Sequence, residues 1–210
     1  MTHARGVLVA FDLGGVLVRI CRDWHQGCRA AGVTCGADPS SADPSAVRDL
    51  VSLHQRGMIP DHDFFEGLSR CTGAAVAAAD ARRVHQAWIL GEYMDVPAVL
   101  GEIVAGGHRT ACLSNTNALH WEQLQGMPFF QRLHHRHASH QMGLEKPDRR
   151  IFAAFEDHVG VSGPGIVYFD DLPDNVEAAA GMGWRAHRVD PSRETVPQIR
   201  SALRTAGVLP

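Results

Sequence analysis

Three stretches of this 210-residue chain set reactive side chains directly behind apolar runs, and a fourth leads shortly to a lysine. Val7-Leu8-Val9-Ala10-Phe11 ends at Asp12 and then at Gly14-Gly15. Arg109 to Leu113 ends at Ser114-Asn115, Leu133 to Gln141 is followed shortly by Lys146, and Ile166 to Phe169 ends at Asp170-Asp171. Brought to one edge, the carboxylates of Asp12, Asp170 and Asp171 repel one another unless a cation sits among them. A few oxygen ligands on a site open to solvent suit Mg²⁺, which keeps several waters and takes one or two carboxylates plus a substrate phosphate. A carboxylate such as Asp12 is also a nucleophile for phosphorus, splitting one hard displacement into two easier ones. Lys146 and the Ser114 hydroxyl are the groups that would hold the other phosphate oxygens.

Lys146 stands out in a second way. Of the 20 basic residues it is the only lysine; the other 19 are arginines. A compact ammonium and a planar guanidinium are not interchangeable at a tight anion site, so this position reads as one that needs an ammonium.

The elements that would position these residues follow from the pattern. Crowded apolar residues ending in a turn signal read as strands buried on both faces, and open α/β sheets bind ligands at the carboxyl ends of such strands. After Gly15 the character changes. From about Ile20 to Pro97 the chain reads as helices without strands: one through Trp24 and Cys28, one from Ser45 with Val47, Leu50, Val51 and His54 inward, one from Asp61 with Phe64, Phe65 and Leu68 inward, and an alanine-rich one burying Val76, Val84 and Trp88. From Val96 strands and helices alternate again, to a last strand at Trp184 to Val189. The expected fold is α/β: a Rossmann-like, doubly wound parallel sheet from residues 1–18 and 98–210, with a helical cap at 19–97 inserted after the first strand.

Composition narrows the function classes. A net charge of −3 gives no reason to expect nucleic acid or an acidic membrane surface as partner. No apolar run approaches the ~20 residues that span a bilayer, and Met1-Thr2-His3-Ala4-Arg5 does not begin a signal peptide, so a cytoplasmic location is expected. The five cysteines, Cys21, Cys28, Cys35, Cys71 and Cys112, lack zinc-site spacing and read as reduced thiols. His134, His135, His137 and His140 read as exposed strand histidines rather than a metal set.

The segments Asp12-Leu13-Gly14-Gly15-Val16, Leu113-Ser114-Asn115-Thr116-Asn117, Gly143-Leu144-Glu145-Lys146-Pro147-Asp148 and Phe169-Asp170-Asp171-Leu172-Pro173-Asp174-Asn175 closely resemble, in order and spacing, the four motifs of the haloacid dehalogenase-like hydrolase superfamily. The resemblance spans Val7 to about Val189 and implies Asp12 as nucleophile and Ser114, Asn115 and Lys146 as the phosphate-binding set. It also implies a Mg²⁺ site of Asp12, the Gly14 carbonyl, Asp170 and Asp171, supported by Asn175. The substrate would be a small phosphorylated molecule, with sugar phosphates one class associated with the Asp-Leu-Gly start.

One position departs from the pattern. Phosphatases of the superfamily usually carry a second aspartate two residues after the nucleophile as general acid and base, and here that residue is Gly14. Such catalysis is worth about 10²–10⁴-fold. The expectation is a slow phosphatase preferring good leaving groups, or one whose acid is a cap histidine, with His25 and His54 as candidates by type. The alternatives are a 2-haloacid dehalogenase, which shares the missing aspartate but needs no cation, and a phosphate-binding regulatory module with little turnover.

Overall fold

The computed structural model describes residues 6–34 and 36–210; residues 1–5 and Cys35 lie outside the described residues. Strand β1 (Leu8–Phe11) is buried along its whole length. Leu13 O then accepts hydrogen bonds from the amides of Val16, Leu17 and Val18, making a single tight turn that leads into β2 (Val18–Ile20). Gly15 sits in that turn at φ +78°, where a Cβ would come within 2.5 Å of Asp171 Oδ2, so backbone conformation and space both demand glycine.

Five helices follow: α1 (Trp24–Ala31), α2 (Pro39–Ala42), α3 (Pro44–Gln55), α4 (Asp61–Cys71) and α5 (Ala78–Gln86). Asp23, Asp38 and Asp43 cap the first three through their side chains. The cap of α3 is thus Asp43, two residues earlier than the expected Ser45. Val47, Phe64, Phe65, Leu68, Val76 and Ala81 form their shared core. The chain leaves this insertion through β3 (Ile89–Glu92), antiparallel to β2.

This two-stranded ribbon corrects the expectation of a strand-free segment. Val18-Arg19-Ile20 is only three residues long and β3 is interrupted by Gly91 at φ +112°, so neither carries a readable alternation. The pairing, not the local sequence, makes them strands.

The remaining elements build the core: α6 (Val96–Ala105), β4 (Arg109–Ser114), α7 (Ala118–Gln125), β5 (His135–Ala138), α8 (Ser139–Met142), α9 (Arg149–Val159), β6 (Ile166–Asp170), α10 (Pro173–Ala180), β7 (Arg185–Arg188) and α11 (Thr195–Thr205). The expected strand from Leu133 to Gln141 is shorter, because the chain turns into α8 at Ser139 and stops at Gly143, φ +67°. The sheet is parallel throughout, in the order β5-β4-β1-β6-β7. Alternate residues of β1 serve two cores. Val9 and Phe11 pack with the α6 and α11 side chains Leu100, Ile103, Ile199 and Leu203, and Leu8 and Ala10 pack with Ile151, Phe152 and Phe155 of α9. Both faces are covered, which is why the strand reads as a continuous apolar run. The chain runs from β1 outward to β4 and β5, then crosses back to β6 on the other side of β1. Asp12 and Asp170 therefore flank the point where strand order reverses, the place such sheets keep their ligands.

Candidate active site

Asp12, Asp170 and Asp171 meet at this edge, each offering a carboxylate oxygen within 4.8 Å of the others. It is the one such group of potential metal ligands among the described residues. Lys146 reaches in from the loop before α9. Its Nζ lies 3.0 Å from Asp12 Oδ1 and 2.7 Å from Asp170 Oδ2, and it donates to the Tyr168 hydroxyl at 3.0 Å. Tyr168 in turn donates to Asp170 Oδ2 at 2.6 Å. Lys146 and Asp170 are almost wholly buried.

Burial and charge set the protonation states. Burial, with repulsion from Asp170 and Asp171, outweighs the pull of Lys146 and lifts Asp12 to about 6. Asp171 is raised by burial and by Asp170. Asp170 moves the other way: burial opposes its charge, but Lys146 and the hydrogen bonds from Tyr168 and the Leu172 amide hold it below the usual range. Lys146 is pulled down by burial, yet its two carboxylate neighbours more than offset this and raise it.

The oxygens of Asp170 are fully engaged. Oδ1 accepts from the Leu172 amide at 2.9 Å and from Asn175 Nδ2 at 3.1 Å, and Oδ2 accepts from Lys146 and Tyr168. Asp12 Oδ1, by contrast, is buried and takes no well-directed hydrogen bond. Asp171 is met by Arg22, whose guanidinium lies 3.5 Å from Oδ2 and also reaches the Tyr93 hydroxyl. Three carboxylates against one buried ammonium leave an excess of negative charge that a divalent oxygen-loving cation would neutralise. The residues fit Mg²⁺.

Ser114, at the end of β4, is buried beside the site. Asn115 follows it, and its side chain is committed elsewhere: Nδ2 donates to Lys146 O at 2.9 Å and Oδ1 accepts from Lys146 N at 2.8 Å. The Asn115 side chain thus positions Lys146. Sequence reasoning missed Tyr168 and Arg22. Tyr168 stands two residues before Asp170 in β6, hence on the same face of the strand, and its polar tip in an apolar run was the available signal.

Beside this edge, the insertion encloses a chamber of about 290 Å³ whose floor includes Leu13, Gly14, Ser114 and Asn115. His54 is in its wall, stacked on Phe64 and bonded through Nε2 to Asp61 Oδ1 at 2.8 Å. His25, the other candidate acid, is exposed on α1 and outside the chamber lining. The chamber is held to the sheet edge by contacts sequence did not foretell. Ser139 Oγ lies 2.6 Å from Gln55 O, Ser52 donates to Glu145 Oε1, and His120 Nε2 lies 2.7 Å from His85 O, with the two rings stacked.

Other expectations resolve simply. Cys21, Cys71 and Cys112 are free thiols. The four histidines at 134–140 are not a uniformly exposed strand: His135, His137 and His140 are half-buried, His140 belongs to α8, and His137 stacks on His158. No helix of the described residues is long and apolar enough to cross a membrane.

Comparison with known proteins agrees with this geometry. The family model for haloacid dehalogenase-like hydrolases matches residues 7–183. A phosphatase of Mycobacterium tuberculosis is 36% identical over 72 residues, 34% of this chain and 33% of that protein, so the chain spans about a third of that relative's length. Among solved structures, a HAD-like family hydrolase from Porphyromonas gingivalis superposes with TM-score 0.76 at 24% identity, covering 96% of this chain and 99% of that one. A HAD family enzyme from Bacteroides thetaiotaomicron, in complex with magnesium and inorganic phosphate, gives TM-score 0.73 at 17% identity over 93% and 100% of the two chains. At these identities the structural likeness speaks for the fold, while the family match extends from β1 through the loop after α10 and takes in all four site segments. The chain belongs to the haloacid dehalogenase-like hydrolases.

Proposed function

We propose that this hydrolase cleaves small phosphomonoesters, using Mg²⁺ and an aspartyl-phosphate formed on Asp12. The observation that carries the reading is the convergence of Asp12, Asp170 and Asp171 around Lys146 at the sheet edge. Asp12, Asp171 and the Gly14 carbonyl are the groups that would hold the metal, with Asp170 at its border; bound Mg²⁺ supplies charge neutralisation that lets an anionic phosphate approach an anionic nucleophile. Dehalogenation has no use for this excess of negative charge, which would repel a departing halide.

The chain's own residues account for the steps. Asp12, ionised above about pH 6, attacks phosphorus, forming a carboxylate O–P bond as the ester P–O bond breaks and its electron pair leaves with the alcohol or phenol oxygen. Lys146 and the Ser114 hydroxyl hold the other phosphoryl oxygens as charge builds on them. Water then attacks the phosphoryl group, phosphate departs, and Asp12 is regenerated. Asp170 and Tyr168 keep the Lys146 ammonium aimed, and Asn115 keeps its backbone in place. The test is phosphate release from a panel of phosphomonoesters by the protein and by Asp12→Asn, each with Mg²⁺ and with EDTA. Release that requires both Asp12 and the metal supports the reading; release that survives either loss overturns it.

A further inference from the structure

The chamber beside Gly14 is built for a different kind of leaving group from a sugar. Its lining is mainly apolar and includes Phe64, Leu68, Val51, Val84, Trp24 and Trp88. Its size is at the lower end of ligand clefts, which run roughly 300–1,000 Å³. A sugar ring would bring several hydroxyls against these walls, and each one buried without a partner costs roughly tenfold or more in affinity. Polar residues line part of it as well: Ser40, Gln55 and Thr116, with Asn117 and His120 bonded to each other. His54 Nε2 is already bonded to Asp61. Trp24 Nε1 and His85 Nε2 are each buried without a hydrogen-bond partner.

The resemblance described above points the same way: in it Gly14 takes the place of an aspartate that serves as acid, and glycine carries no proton to give. A phenol ionises near pH 10, as tyrosine does, so a phenolate departs unprotonated far more readily than a sugar alkoxide. Resting on the phosphatase reading above, we propose that the chamber receives an aromatic ring and that the substrates are aryl phosphomonoesters. In the first step Asp12 gains the P–O bond, the aryl P–O bond breaks with its electron pair on the phenolate, and the phenolate takes its proton from water after leaving.

Binding of phenylphosphonate and methylphosphonate to the Mg²⁺-loaded protein, measured by calorimetry, reads the ring pocket without turnover. Phenylphosphonate should bind about 10–100-fold tighter, the range for burying one ring. Val51→Phe, which fills the chamber, should collapse that preference, and the isosteric Val51→Thr should reduce it a few-fold, with thermal melts showing both folded. Turnover of phenyl phosphate and glucose 6-phosphate is measured alongside. Equal affinity for the two phosphonates, or faster turnover of the sugar ester, overturns the inference while leaving the phosphatase reading intact. Failure to hydrolyse any ester, on folded Mg²⁺-loaded protein, overturns both.

Discussion

The Asn115 side chain clamps the backbone of Lys146 from both sides, donating to its carbonyl at 2.9 Å and accepting from its amide at 2.8 Å. The loop after β4 thereby fixes the residue that bridges Asp12 and Asp170. Asn115→Ala removes both bonds and frees the Lys146 backbone, at a stability cost of about 1–3 kcal/mol. A displacement of about 1 Å at a charged group costs on the order of 10²-fold in rate. Steady-state kinetics and a melt on the same sample should show kcat falling about that far in a protein that remains folded. An unchanged kcat would remove Asn115 from the positioning of Lys146.

Gly14 offers a gain-of-function test. Its backbone is not in the left-handed region, and a Cβ there would meet only the flexible end of Ile20, at 3.2 Å. Gly14→Asp should therefore fold. With an acid restored, turnover of alkyl phosphates should rise about 10²-fold and that of aryl phosphates far less, because phenolate needs no proton. Equal gains for both classes would show that leaving-group protonation is not what the glycine removed.

Metal affinity should depend on pH through Asp12. Its carboxyl, lifted by burial to about 6, must lose its proton before it can serve as a ligand. Mg²⁺ titrations should give a Kd that is flat above about pH 7 and rises about tenfold per pH unit once Asp12 is protonated. A flat profile down to pH 5 would show that Asp12 is not a ligand.

Half-buried histidines give a second pH signature, this one in stability. Burial lowers His85, His120, His135, His137, His140 and His187 below their usual value near 6.5, with His137 brought to about 4 by burial and His158. Each binds a proton in the unfolded chain at a pH where the fold holds it neutral. The unfolded state then carries more protons, so stability is full above about pH 6.5 and declines as pH falls toward 4. Asp12 and Asp171, raised in the fold, act in the opposite sense over the lower part of this window unless metal keeps them ionised. Melting temperatures at saturating Mg²⁺ should therefore fall steadily from pH 7 to pH 5; a maximum near pH 5 would contradict the histidine account.

How much could be read from the sequence depended on how local each cause was. Asp12 was legible because β1 is the central strand, covered on both faces, and its apolar run stops at a carboxylate. Most helices of the insertion were legible from their spacing, down to the inward Phe64, Phe65 and Leu68 of α4, but the short α2 was not, and Val76 and Trp88 flank α5 rather than belong to it. The β2–β3 ribbon was not, since a three-residue strand has too few positions to show alternation. The role of the Asn115 side chain was hidden for another reason: its partner is 31 residues away and exists only once β4 and the Lys146 loop are neighbours. The half-burial of His135, His137 and His140 likewise depends on what packs over the sheet edge, which nothing in their own segment encodes.

The central claim is that Asp12 becomes covalently phosphorylated. Peptide mass spectrometry on enzyme quenched in acid during turnover of phenyl phosphate with Mg²⁺ tests it most directly. The account predicts a phosphoryl group on the peptide carrying Asp12, absent in EDTA and absent in Asp12→Asn. Turnover that continues with no phosphoryl group on Asp12, or one attached to another residue, would contradict it.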